Sequence, residues 1–194
     1  MRPWPLVELA ALLIDLDGTL VDTADANYAA YAAALNEAGV AIGREDFDRA
    51  ATGRHWSQFL PCLIGAVNAD PVRIAARKRE IYPAMAARTQ VNHGLVELAG
   101  SLRATLKLGL VTSASRTSAE AVLDAYGLAP LFATVVTGDD VAEPKPAPDA
   151  YLLAATRLQV SPGQCLALED SATGLESARR AGMRTLRVTF SATT

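Results

Sequence analysis

The sequence predicts an α/β protein: a doubly wound, Rossmann-like parallel sheet of about five strands with an inserted helical cap. Three observations predict this fold class: apolar runs of strand length recur, segments with helical spacing separate the later runs, and one long helical stretch interrupts the alternation. Several runs are continuous rather than alternating, which is typical of parallel strands covered on both faces. The predicted strands are 11–14, 106–111, 133–136, 165–168 and 185–188.

The predicted helices between the later strands carry start and stop signals. Residues 115–127 open with hydroxyl residues, place Glu120 three positions after Thr117 as a capping box would, and end at a glycine. Residues 148–158 begin with a proline, which suits a first helical turn, and residues 172–181 end just before another glycine. Helices of this length between strands indicate βαβ units.

Residues 22–90 break the alternation of strands and helices. They contain no convincing strand, and helices are predicted near 24–38, 56–67 and 71–87. We therefore predict two domains, an α/β core formed by residues 1–21 and 91–194 and a helical cap formed by residues 22–90.

Composition and charge exclude several classes of protein. With 18 Lys and Arg against 21 Asp and Glu, the net charge is −3, so we expect no broad cationic surface for nucleic acid. No apolar run approaches the roughly 18 residues of a membrane span, and we find no convincing signal peptide. Cys62 and Cys165 form no CxxC pair and are expected to be small buried thiols. We expect a cytoplasmic monomer or weak homodimer that binds neither nucleic acid nor membrane.

Polar side chains follow four of the predicted strands. In open parallel sheets, ligands bind beyond the carboxyl ends of the strands, so these positions are the candidate site. A hairpin turn at Asp17-Gly18 would need alternating strands on both sides, which the sequence lacks. Taken alone, Lys145 could be a solvated loop lysine, and Glu169 and Asp170 could be charges that complement a helix dipole. The converging residues are Asp15, Asp17, Thr112, Ser113, Lys145, Glu169 and Asp170.

Carboxylates gathered at strand ends predict a bound cation. They would repel one another strongly without one, and a set of oxygen ligands favours Mg²⁺. Mg²⁺ in turn commonly binds phosphate, and Lys145, the Ser113 hydroxyl and amides at the next helix start could hold phosphoryl oxygens. The sequence therefore predicts magnesium-dependent phosphoryl transfer.

In their order along the chain, these residues resemble the four motifs of the haloacid dehalogenase superfamily. The resemblance is to the helical-cap subgroup, which includes phosphoglycolate phosphatases, sugar-phosphate phosphatases and β-phosphoglucomutase. It covers residues 10 to 190 and implies an Mg²⁺-dependent phosphatase acting on a small phosphorylated metabolite. The motifs are DLDGT at 15–19, Thr112-Ser113, Lys145 in KPAPD, and EDSATG at 169–174.

The resemblance also implies a role for each acidic residue. Asp15 would attack phosphorus and form an aspartyl-phosphate. Asp17 would protonate the leaving oxygen and then take a proton from water, with its backbone carbonyl on the metal. Asp170 would be the second direct metal ligand, and Glu169 a neighbouring or water-mediated one. Dehalogenases of this fold usually lack an acid at the position of Asp17, which argues against carbon–halide chemistry.

For the transferring phosphoryl group, the resemblance implies a cradle of three residues. Ser113 and the amide of Ala114 would hold it, and Lys145 would bridge it to Asp15. The hydroxyl motif could instead be registered one residue earlier, on Thr112.

Two cap segments resemble the parts that choose the substrate. Residues 52–56 resemble a loop that dips toward the site, and residues 77–82 a helix that can present a lysine. We expect Arg54 and Lys78 to contact an anionic substrate, although Lys78 could also lie on a solvated helix face. A phosphomutase is the alternative function, weakened by Asn27, which stands where the mutase resemblance would place a histidine. A catalytically idle relative that only binds a ligand or partner is less favoured.

Overall fold

The computed structural model describes residues 8–51, 54, 56–65 and 67–190. Its strands and α-helices, in chain order, are β1 (Ala11–Ile14), β2 (Val21–Asp22), α1 (Ala24–Glu37), α2 (Arg44–Ala51), α3 (Trp56–Ile64), α4 (Pro71–Ile81), β3 (Gln90–Val91), α5 (His93–Leu102), β4 (Lys107–Val111), α6 (Arg116–Ala125), β5 (Thr134–Val136), α7 (Asp149–Leu158), β6 (Cys165–Glu169), α8 (Ala172–Arg180) and β7 (Arg184–Arg187).

Five of these strands form one parallel sheet in the order β5-β4-β1-β6-β7. The predicted fold class is confirmed, and each of the five predicted strands corresponds to a strand of this sheet. β1 lies at its centre, with Leu13 paired to Gly109 of β4 and to Ala167 of β6. Because β4 and β6 flank β1, the residues that follow these three strands meet at one edge of the sheet.

Both faces of the sheet are covered at its central strand β1, as a continuous apolar strand requires. Leu12 and Ile14 of β1 pack in a cluster with α5, α6 and part of α1, whereas Leu13 packs on the opposite face with α7 and α8. All four residues of β1 are buried. Burial of each such Leu or Ile side chain contributes roughly 1.5–3 kcal/mol, so β1 is a rigid support for the residues after it.

The segment 22–90, which we call the cap, is helical and has a core of its own. This core is an apolar cluster separate from the two that cover the sheet, and it includes Leu35, Phe47, Phe59 and Ile74. Helix α1 belongs to two clusters, because its Ala26 and Ala30 pack with the sheet, while residues nearer its end pack in the cap. Small side chains let this helix lie close to both.

The structure differs from the sequence predictions in several local features. The hydrogen-bonded pair β2 and β3 borders the cap, where no strand was predicted, because two-residue strands leave no periodic pattern. The predicted cap helix over 71–87 divides into α4 and a 3₁₀ segment, Tyr82–Arg88. The predicted capping box is wrong, since Ser115 caps α6 by accepting from the amide of Ser118. Helix α5 was not predicted. Of the two cysteines expected to be buried, Cys165 is buried but Cys62 is exposed on α3. No helix of the described residues is long and apolar enough to span a membrane.

Candidate active site

The candidate site lies where β1, β4 and β6 end. Asp15 follows β1 directly and its amide donates to the carbonyl of Leu168 in β6 (3.0 Å). Thr112 follows β4, and its amide donates to the carbonyl of Val136 in β5 (2.9 Å). Glu169 is the last residue of β6. The sheet's own hydrogen bonds therefore fix the backbone from which the predicted site residues project.

Lys145 joins the nucleophile candidate Asp15 to Glu169 at the end of β6. Its ammonium donates to Asp15 Oδ1 (2.7 Å), to Glu169 Oε1 (2.6 Å) and to the carbonyl of Val111 (3.1 Å). Burial opposes the charged ammonium, but the surrounding negative charges, led by Asp15, outweigh it and hold the pKa of Lys145 well above its usual value. The lysine that the sequence left as a possible loop residue is thus a buried bridge.

Glu169 is fully buried and held by three side chains. Besides Lys145, it accepts from the Tyr151 hydroxyl (2.8 Å) and from the Ser171 hydroxyl (3.2 Å). Ser171 also caps α8 by accepting from the amide of Gly174 (3.0 Å). A side chain at position 174 would overlap the Glu169 carboxylate, so the first turn of α8 needs a glycine there. These contacts explain the spacing of the EDSATG motif.

Asp170 faces the loop that follows β1. Gly18 adopts a positive φ of 86°, and any side chain there would overlap the Asp170 carboxylate. Burial, followed by the charge of Glu169, raises the pKa of Asp170 to about 6. Burial also raises the pKa of Asp15 well above its usual value; Lys145 opposes this rise, and Glu169 and Asp17 add to it. Burial is the main cause of both shifts, and in both the neighbouring carboxylates add to it while Lys145 opposes it.

Three carboxylates could hold a divalent cation here. One oxygen each from Asp15, Glu169 and Asp170 lies within 4.8 Å of the others. Hard divalent cations prefer such oxygen ligands, and a cation among them would favour the charged carboxylates. The residues therefore fit a divalent metal, although the hydrogen bonds of Glu169 suit a supporting position better than a direct one. The Asp17 side chain is not part of this cluster.

Asp17 projects instead toward the boundary with the cap. Its Oδ1 accepts from the Thr23 hydroxyl (2.5 Å), with Asn27 more distant (3.5 Å), and its Oδ2 accepts from the Thr112 hydroxyl (3.0 Å). The carboxylate also lines the cavity described next, as Asp15 does. Two carboxylates on one cavity, one beside an ammonium and one held by hydroxyls, suit different chemical roles.

A cavity of about 370 Å³ separates the strand ends from the cap. The core contributes acids, Lys145 and the exposed Ser113, together with Ala114. Thr112 is only 1% exposed, and its hydroxyl also accepts from the Ala114 amide (2.9 Å). Of the two hydroxyls that the sequence left open, Ser113 is therefore the one that faces the cavity. The cap contributes Tyr31, Phe47, Arg54, Trp56, Phe59 and Lys78.

Lys78 is buried among aromatic rings at the cap side of the cavity. Its ammonium lies 4.0 Å from the ring centre of Tyr82 and 5.1 Å from that of Tyr31. Burial lowers the pKa of Lys78 to about 8, with the charge of Asp17 opposing that change. The side chain is 8% exposed, so the alternative of a solvated helix face is wrong.

Arg54 also lines the cavity but is exposed, and it donates to the carbonyl of Ala50 (3.3 Å). The neighbouring positions 52, 53 and 55 of the predicted cap loop lie outside the described residues. Sequence reasoning did not single out Thr23, Tyr151 or the Tyr31–Tyr82 pair. Only Thr23 left a signal, since a threonine before a helix is a common cap, yet here its hydroxyl bonds Asp17 and makes no cap hydrogen bond.

Comparisons with known proteins agree with this geometry. A protein-family model described as haloacid dehalogenase-like hydrolase matches residues 9–182. Protein CbbY of Rhodobacter capsulatus is 35% identical, over 92% of this chain and 84% of that protein. Fructose-1-phosphate phosphatase YqaB of Escherichia coli is 31% identical, over 90% of this chain and 93% of that protein. The crystal structure of CbbY from Rhodobacter sphaeroides in complex with phosphate superposes with a TM-score of 0.84 at 29% identity, over 94% of this chain and 87% of that one. The chain belongs to the haloacid dehalogenase-like hydrolase family, and the prediction that it is a phosphoric monoester hydrolase is confirmed.

Proposed function

We propose that the protein is an Mg²⁺-dependent phosphatase that hydrolyses a small phosphorylated metabolite through an aspartyl-phosphate on Asp15. The substrate class is a sugar phosphate or a phosphoglycolate-like acid. One observation carries the proposal: Asp15, in contact with Lys145, and Asp17, held by hydroxyls, line the same cavity. The names of the relatives, among them a fructose-1-phosphate phosphatase, support the choice of substrate class.

In the first half-reaction, an Asp15 carboxylate oxygen attacks phosphorus while the bond from phosphorus to the leaving oxygen breaks. Lys145 stabilises the charge shared by Asp15 and the phosphoryl oxygens, and Asp17 gives its proton to the leaving oxygen. In the second, water attacks phosphorus, Asp17 takes the water proton, and phosphate leaves Asp15. Each half-reaction uses groups that already line the cavity.

A magnesium ion, held by Asp15, Asp170 and the backbone carbonyl of Asp17 with Glu169 as a supporting carboxylate, would supply positive charge for the phosphoryl oxygens. The cluster of carboxylates and the raised pKa values of Asp15 and Asp170 support this assignment. Ser113 and the Ala114 amide hold the phosphoryl group from the other side. That amide also donates to the Thr112 hydroxyl oxygen (2.9 Å), so it would share its hydrogen between Thr112 and the phosphoryl group.

Lys78 and Arg54 contact the part of the substrate that does not react. Both line the cavity opposite the strand ends, and a volume of about 370 Å³ suits a small metabolite. Asn27, where the mutase resemblance places histidine, donates to Thr23 (3.0 Å) and cannot titrate near neutral pH. This supports water rather than a second sugar as the acceptor.

The proposed setting is the cytoplasm, and the proposed form is a monomer or weak homodimer. Both cysteines are free thiols, which suits a reducing compartment. One chain supplies every proposed site residue, so activity does not require a partner subunit.

The test is release of phosphate from a panel of sugar phosphates and phosphorylated acids with and without Mg²⁺. Asp15→Asn should lower turnover by at least about a thousandfold, because the amide is a poor nucleophile. Asp124→Asn, at an exposed position on α6, is the matched control and should leave turnover unchanged. Turnover that survives in Asp15→Asn, or that persists in excess chelator, would contradict the proposal; an isomerised sugar phosphate in place of free phosphate would identify a mutase.

A further inference from the structure

Two threonine hydroxyls hold the Asp17 carboxylate, one on each oxygen. Thr112, at the end of β4, donates to Oδ2 (3.0 Å), and Thr23, just before α1, donates to Oδ1 (2.5 Å). Thr112 belongs to the core and Thr23 to the cap. The acid–base candidate is therefore held from both parts of the molecule.

The direction of the Thr112 hydrogen bond follows from its surroundings. Its oxygen accepts from the Ala114 amide (2.9 Å), so the hydroxyl hydrogen is free to point at Asp17. Thr23 repeats this arrangement, because its oxygen accepts from the Asn27 side chain (3.0 Å). In both cases an N–H group behind the hydroxyl fixes which way the hydroxyl donates.

Thr112 is poorly placed to bind a phosphoryl group itself. It is 1% exposed, its hydrogen is directed to Asp17, and the neighbouring Ser113 is the hydroxyl exposed at the cavity. A hydroxyl has one donor, and a phosphoryl oxygen requires a donor. The contacts of Thr112 thus point to Asp17.

We propose that Thr112 is a positioning residue that fixes the Asp17 carboxyl for proton transfer to the leaving oxygen. This inference rests on the proposed phosphatase function. The Thr112 backbone is held by its amide bond to Val136 in the sheet, so the orientation it imposes comes from the rigid core. Each carboxylate oxygen has two lone pairs, so Asp17 Oδ2 can accept from Thr112 and still exchange a proton with a group in the cavity.

Loss of this hydrogen bond should matter only where the leaving group needs a proton. Phenolate leaves poorly without one, whereas 4-nitrophenolate leaves readily. The two aryl phosphates otherwise have similar shapes. The ratio of their kcat/KM values reports the first half-reaction, in which Asp17 acts as an acid, and excludes the later hydrolysis step that both substrates share.

The experiment compares Thr112→Val with the wild-type protein on phenyl phosphate and 4-nitrophenyl phosphate in Mg²⁺. General acids contribute about 10²–10⁴-fold, so misplacing one should lower kcat/KM for phenyl phosphate by about tenfold. For 4-nitrophenyl phosphate we expect a loss of less than about threefold. Thr112→Ala, which adds no bulk, should give the same ratio if the valine variant folds poorly.

Three further variants complete the experiment. Thr112→Ser keeps the hydroxyl and should restore the wild-type ratio; Asp17→Asn sets the ratio for complete loss of the acid. Thr105→Val, at an exposed threonine whose hydroxyl donates to Leu102, is the control and should change neither substrate. Equal losses on both substrates, or a serine variant as impaired as the valine one, would overturn the inference about Thr112. If the wild-type protein releases no phosphate, or Asp15→Asn retains turnover, the proposed function itself fails, and this inference fails with it.

Discussion

The two walls of the cavity are held together in different ways. On the core side, Lys145 contacts two carboxylates and a backbone carbonyl by hydrogen bonds of 2.6–3.1 Å. On the cap side, the Lys78 ammonium lies over the rings of Tyr82 and Tyr31. Groups that react must keep their positions closely, whereas a wall that selects a substrate can rely on shape and one charge. From this difference we propose that the core carries out the reaction and that the cap selects the substrate.

The largest expected effect is a loss of stability when Lys145, on the core side of the cavity, is replaced. Lys145→Met leaves Asp15 and Glu169 buried without their shared cation. Breaking a buried ion pair by removing one partner costs about 3–5 kcal/mol, so we expect a loss of this size in the free energy of unfolding. Urea denaturation at pH 7 without added Mg²⁺ measures it, and phosphatase activity should be lost as well.

The matched control is Lys107→Met, at a lysine whose ammonium donates to the carbonyl of Leu158 (2.7 Å) at the opposite end of the sheet. It loses one hydrogen bond without leaving a charge unpaired, so the cost should be about 1 kcal/mol. Equal stability of the two variants would show that the core wall does not depend on its ion pairs.

A second prediction concerns Gly174, the helix glycine that lies against the Glu169 carboxylate. Gly174→Ala places a methyl group into the Glu169 carboxylate, which must move away from Lys145. Overpacking of this kind costs about 1–3 kcal/mol, and we expect turnover to fall with it. Thermal unfolding and phosphate release measure the two effects.

Gly100→Ala is the comparison for that variant. Gly100 also lies in a helix, α5, but a methyl group there would meet nothing within 4 Å. Alanine should therefore stabilise the protein by about 0.5–1 kcal/mol through helix propensity. If Gly174→Ala were stabilised as Gly100→Ala is, the predicted clash between a side chain at position 174 and the Glu169 carboxylate would be wrong.

The smallest expected effect on stability is at the cap wall. Lys78→Met should not lower the free energy of unfolding, because methionine packs well against aromatic rings and carries no charge whose burial opposes folding. The expected change is in KM for a sugar phosphate, which should rise about tenfold with little change in kcat, since one charged contact is lost. Arg73→Met, at an exposed position on the same helix, should leave both constants unchanged. A large fall in kcat in Lys78→Met would contradict the proposal that the cap side of the cavity selects the substrate and takes no part in the reaction.

The pH dependence of KM sharpens this last prediction. Burial lowers the pKa of Lys78 from 10.5 to about 8; the charge of Asp17 opposes this shift, and that of Arg79 adds to it. The ammonium is therefore present below pH 8 and lost above it, so the wild-type KM should rise above that pH while Lys78→Met stays flat. The free energy of unfolding, by contrast, should increase with pH over this range. The folded protein holds this proton less tightly than the unfolded chain, so the penalty of burying the charge fades as the pH rises from about 8 toward 10.5.

Much of the core could be predicted because its signals are local. Apolar runs of strand length predicted the five strands, and the polar residues after them predicted the edge at which the site lies. Helix α5 and the short pair β2–β3 could not be predicted in the same way. α5 contains Gly94 and Gly100, which lower helix propensity, and two-residue strands have no period.

The choice between Thr112 and Ser113 as the hydroxyl that faces the cavity could not be made from the sequence. Thr112 and Ser113 are adjacent and chemically alike, so spacing could not choose between them. Thr112 follows β4 directly and is buried, whereas Ser113, one residue farther from the strand, is exposed at the cavity. The same burial turned Thr112 toward Asp17.

By itself, the sequence determined the fold class, the chemical types gathered at the strand ends and the reaction class they suit. Those properties depend on periodicity and on residue type, which are local. Only the tertiary structure decided that Glu169 is a buried partner of Lys145 and Tyr151, that the Lys78 ammonium lies over two aromatic rings, and that Asp17 accepts from one hydroxyl of the core and one of the cap. Contacts between residues up to 130 positions apart depend on how the elements pack, because packing sets which side chains meet and which are removed from water.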